Sequence, residues 1–98
     1  MGNSLKSATF LIESRLRDAA RGDARAYYDL GMIYSSGSCG GAVDLVEAHK
    51  WFNLAAVAGS EDAQHCRAEI AEDMSAREIA VAQRAARDWL SLPTRQAA

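Results

Sequence analysis

The chain is predicted to be all-α: a fragment of an α/α helical-repeat solenoid, about five antiparallel helices long. Three observations predict it. Apolar residues recur at steps of three and four, the spacing that holds them on one side of a helix. Alternation with a period of two, the mark of a half-buried strand, is absent. The segment starting at Gly22 can be laid over the one starting at Gly59, a shift of 37 positions that suits a repeat of two helices.

Each element follows from its residues. Leu5, Ala8, Ile12, Leu16 and Ala19 make the stripe of a first helix over about residues 5–21, and Gly22 stops it. Asp23 is placed to cap a second helix, whose face is Tyr27, Leu30, Gly31 and Tyr34. A glycine inside a helix costs about 1 kcal/mol against alanine, so Gly31 is expected to admit a close neighbouring helix. "SSGSCGGAV" then reads as a loop. Asp44 opens a third helix, with Glu47 three residues on as an acidic variant of the capping box, and Gly59 ends it. Its first apolar face is Leu45, Ala48, Phe52, Ala55 and Ala56; a second is Trp51, Leu54, Val57 and Ala58. A helix apolar on two sides is expected to lie sandwiched between neighbours, with His49 left beside Lys50 on the solvated side. Ser60 can cap a fourth helix that turns Ala63, Cys66, Ile70 and Met74 inward. Ser75 and Glu78 form a capping box for a fifth, whose stripe is Ile79, Ala82, Ala86, Trp89 and Leu90. Pro93 stops it, and residues 93–98 read as a tail.

Ninety-eight residues make one domain with a modest core, to which every helix must contribute. Roughly a fifth of the residues are alanine, the best helix former, and 49% hydrophobic content with 24% charge is that of a folded chain. A net charge of −2 supplies no global field to draw nucleic acid or an anionic membrane. The start of the chain lacks the apolar core of a signal peptide, and Lys6 stands where a myristoylation signal wants Ser or Thr. No run approaches the roughly 20 apolar residues of a membrane span. Cys39 and Cys66 are too few and too far apart for a disulfide framework, so two reduced thiols in a cytoplasm are expected.

"ARAYYDLGMIYSSG" followed by "DLVEAHKWFNLAAVAG" resembles one complete Sel-1-like repeat, a relative of the tetratricopeptide repeat. The positions that carry the resemblance are Ala26, Leu30, Gly31, Tyr34 and Gly37, then Asp44, Ala48, Trp51, Phe52, Ala55, Ala56 and Gly59. Residues 24–59 are thus a complete unit, residues 5–21 look like the second helix of a preceding one, and residues 60–92 look like a divergent repeat or cap. In that last unit the Gly-rich loop is missing and Arg67 stands at the position of Leu30. The resemblance implies a right-handed stack of helix pairs working as a non-catalytic adaptor or scaffold in bacterial signalling or assembly. It implies no cofactor, and it assigns none of these residues to binding, because they are the ones that build the helix pair.

Other chemistry is poorly supported. "GSCGG" leads to Asp44 rather than to the Lys and Ser or Thr of a phosphate loop. His49, His65, Cys39 and Cys66 are metal-ligand types, but no paired CxxC or HxxxH spacing exists, and adjacent His65 and Cys66 diverge by about 100° on a helix. No metal site and no catalytic pair is assigned. Arg77, Arg84 and Arg87 with Gln83 offer a basic face on the fifth helix, the basis of an alternative reading as a nucleic-acid binder. Glu78 and Asp88 interrupt that face, and Asp88 is spaced to pair with Arg84. Trp51 and Trp89 fall within apolar stripes and are assigned to the core.

The candidate partner-binding residues lie outside the stripes. In helix-pair solenoids the first helix of each pair lines the concave side, which here would present Arg25, Tyr28, Asp29 and Met32, then Gln64, His65 and Arg67. Tyr, Arg and Met are enriched at protein interfaces, so the expected partner is another protein. A helical array needs about three units for stability and this chain has roughly two and a half. Either its ends are capped, with Trp89 closing one side, or it self-associates as a homodimer.

Overall fold

The computed structural model describes residues 3–38 and 40–92, with side chains from residue 9 onward. These residues form five α-helices and no strand: α1 (Asn3–Ala20), α2 (Ala24–Ser36), α3 (Leu45–Val57), α4 (Glu61–Ala71) and α5 (Ala76–Leu90). Cys39 and the tail from Pro93 lie outside the described residues, as do the side chains of Leu5 and Ala8.

The punctuation falls where capping chemistry puts it. Asp23, Asp44, Ser60 and Ser75 each turn a side-chain oxygen to the free amides of the helix that follows. Ser75 and Glu78 close a full capping box. The box expected at Asp44 is only half made: Asp44 accepts from the Glu47 amide, but Glu47 uses its own carboxylate on the indole of Trp51 at 3.1 Å and the ammonium of Lys50 at 3.4 Å. The Asp44 amide donates instead to the Tyr34 carbonyl at 2.9 Å, tying the start of α3 to the end of α2.

α3 is the centre. α2, α4 and α5 all pack along it, whereas α1 packs on α2. Trp51, Phe52 and Leu54 are among the largest fully buried side chains, joined by Leu30 of α2. α2 and α3 run antiparallel in close contact at Gly31: a Cβ added there would stand 2.5 Å from Cδ1 and Cε1 of Phe52. The mid-helix glycine is therefore a slot for the Phe52 ring. Tyr27 stacks on Trp51 with ring centroids 5.9 Å apart, and Trp89 of α5 meets Trp51 edge-on at 4.9 Å, so three helices share one aromatic seam.

Several expectations need correction. His49 is not solvated; it is 3% exposed. The second face of α3 is narrower than predicted: Val57 is 69% exposed and Ala58 is exposed too, although Ala55 and Ala56 just before them are buried. Leu90, assigned to the α5 stripe, is 38% exposed. Among the described residues Arg84 and Asp88 make no ion pair.

Candidate functional site

A cleft of about 260 Å³ opens between the first turns of α2 and α4, lined by Ala24, Arg25, Tyr28, Ser60 and Asp62. The two caps, Asp23 and Ser60, position it. They start α2 and α4, and the glycines that precede them, Gly22 and Gly59, take positive φ values of 84° and 109°.

Tyr28 forms the floor. Its ring is tilted against Phe52 at 5.9 Å, and its hydroxyl lies beside the Cys66 thiol. Burial, then Cys66, then the Asp62 carboxylate raise the phenol's pKa above its ordinary value, with Arg25 opposing; the group stays neutral and can both donate and accept. Arg25 stands at the mouth, its guanidinium 5.9 Å from the Tyr28 ring centroid and its Nε donating to Asp29 Oδ1 at 3.1 Å. The other oxygen of Asp29 lies 3.6 Å from Arg15 on α1. Asp29 thus joins α1 to α2 while orienting Arg25. Its side chain is 27% exposed and Arg25's is 80% exposed, so the pair is worth at most about 1 kcal/mol to stability.

The predicted residues are only partly brought together. Arg25 and Tyr28 share the cleft, with Asp29 behind them. Met32 lies one turn along α2 and is 42% exposed. Gln64 and His65 are exposed on α4. Arg67 turns inward and donates to the side-chain oxygen of Asn53 on α3, so it braces the α3–α4 seam rather than facing outward. Sequence reasoning missed Arg15 and Asp62. A signal for Asp62 existed: the 37-position shift that aligns Gly22 with Gly59 also carries Arg25 onto Asp62. Arg15 had none, because only the docking of α1 on α2 brings it to Asp29.

Elsewhere, Arg77, Gln83, Arg84 and Arg87 are exposed on α5. Among the described residues no three His, Cys, Asp or Glu side chains converge to hold a metal ion, and no helix is long and apolar enough to cross a membrane. The molecule is defined as a five-helix all-α domain with a polar-rimmed cleft between α2 and α4. Comparison with protein-family models, curated proteins and solved structures finds no match to this chain.

Proposed function

We propose that this protein is a non-catalytic protein-interaction module, an adaptor or scaffold, that takes its partner across the α2–α4 face. The observation that carries this reading is the cleft. A half-buried phenol lines it, Arg25 and Asp62 bring opposite charges to its wall, and the exposed thioether of Met32 lies one turn further along α2. A partner side chain seated there would meet an aromatic face, hydrogen-bonding groups of both polarities and an apolar edge, the composition of an interaction hot spot. The resemblance of residues 24–59 to a Sel-1-like repeat supports the same reading. A bacterial cytoplasm, where both thiols stay reduced, is the proposed setting.

The test is capture from the host's cytosol by wild type, Met32→Glu and Arg25→Glu, with bound proteins identified by mass spectrometry. Both substituted side chains are solvent-facing, so circular dichroism should find the fold intact. A protein held by wild type and lost by both variants is the expected result. Equal retention by all three would remove the α2–α4 face from consideration.

A further inference from the structure

The four connections between helices are not alike. Those leading into α2, α3 and α4 are locked by glycines with positive φ: Gly22 at 84°, Gly37 and Gly40 at 67° and 78°, and Gly59 at 109°. A continuous helix through any of them would have to refold a left-handed turn. The connection from α4 to α5, Glu72 to Ser75, contains no glycine and no proline, and Glu72 already holds φ −63° and ψ −24°, within the helical region. The amides of Glu72, Asp73 and Met74 donate three residues back, to Glu69, Ile70 and Ala71, and Ser75 then turns to an extended backbone held by its capping box with Glu78.

The packing is unusual at the same place. α4 and α5 follow one another through a short turn but scarcely touch; each packs on α3. α5 brings one face to α3. Ala82 and Ala86 are buried, and Trp89 meets Trp51 edge-on while its indole Nε1 donates to the Tyr27 hydroxyl at 3.3 Å. Lys50 lies 4.3 Å from the Trp51 ring centroid and 5.3 Å from that of Trp89, clamping both rings from α3. None of these contacts depends on which chain supplies α5.

We infer that a partner of this protein is a second copy of the same chain, engaged by reciprocal exchange of α5. In the exchanged form Glu72–Ser75 becomes helical and α4 and α5 fuse into one rod of about 45 Å. Each rod lays Ala82, Ala86 and Trp89 against the other copy's Trp51, Tyr27 and Lys50. The two copies together keep every seam of the monomer, and the exchange costs two capping boxes and the entropy of association.

Two substitutions push the equilibrium in opposite directions. Ala76 is the first residue of α5, where proline is favourable because the amide there needs no helical acceptor. Ser75 already has φ −77° and ψ 161°, the conformation that a following proline imposes. Ala76→Pro therefore suits the monomer, but inside a fused helix its ring meets the Glu72 carbonyl, and the association constant should fall about 10⁴-fold over two chains. Ser75→Ala removes the side chain that stops the fusion and should raise it about thirty-fold.

The experiment refolds wild type, Ala76→Pro and Ser75→Ala from denaturant at millimolar and micromolar concentration and measures mass by light scattering after size exclusion. The expected result is a wild-type dimer after concentrated refolding that dissociates slowly on dilution, a larger dimer fraction for Ser75→Ala, and a helical monomer only for Ala76→Pro. Wild type that stays monomeric in every case, a dimer equally abundant in Ala76→Pro, or a Ser75→Ala fraction equal to wild type would overturn the inference.

Discussion

His49 buries one ring nitrogen, Nδ1, without a hydrogen-bond partner, beside a helix that carries Arg67. Burial first, then the Arg67 charge, lowers its pKa below the ordinary value of 6.5. Because the folded value is the lower one, the unfolded chain takes up a proton first as the pH falls. The stability linked to His49 is therefore complete above about 6.5 and is lost as the pH drops toward the folded value. Wild type should melt at a lower temperature at pH 5.5 than at pH 7.5, and His49→Gln should flatten most of that difference. Equal pH dependence in the two proteins would mean the imidazole is not the responsible group. This residue also marks a limit of periodicity. Position 49 lies between the apolar positions 48 and 52 with Lys50 at its side, and nothing local says that it will be buried.

Between elements, the seam of α2 and α3 rests on one missing side chain. Gly31 gives up about 1 kcal/mol of helix propensity, and the Phe52 ring takes the space. Gly31→Ala recovers that propensity but overpacks a ring that is 1% exposed and enclosed on all sides, at a cost of about 1–3 kcal/mol. Steric cost wins, since Phe52 has nowhere to move. The variant should melt several degrees below wild type, as about 1 kcal/mol shifts a domain of this size by 4–8 °C. A melt at or above the wild-type temperature would show that the seam can relax. The other seams are built differently: α3 and α5 meet through two tryptophans and a lysine, and α3 and α4 through Asn53 with Arg67.

For the whole molecule, the arrangement around α3 implies a single cooperative unit. Three helices use α3 as their common wall, so loss of its packing should be felt by all of them. Phe52→Ala should cost about 3–5 kcal/mol, a large part of the stability of a domain this small, and helicity and tryptophan fluorescence should be lost together in urea. Separate transitions for the two signals would show that α5, which carries Trp89, unfolds independently of α3. α1 stands apart, packing on α2 with Phe10 64% exposed and Leu11 also exposed on its outer side.

Helix number, helix order, the four caps, the glycine stops and the central place of α3 were all legible in the chain. Each depends on local chemistry: an apolar period of 3.6, a side-chain oxygen before a helix, a glycine after it. The candidate site was legible only in part. Arg25 and Tyr28 could be picked as residues left outside the stripes, but the cleft they share with Asp62, the ion pair from Arg15 and the inward turn of Arg67 arise from how helices distant in sequence are set against one another. Which segments are helical, and which side of each is apolar, can be read from the chain, because backbone hydrogen bonds and side-chain spacing act within a few residues. That His49 is buried, that Val57 is bare and that α5 leaves α4 to close on Trp51 follow from the assembled helices, because burial is set by the neighbour an apolar face finds and not by the face alone.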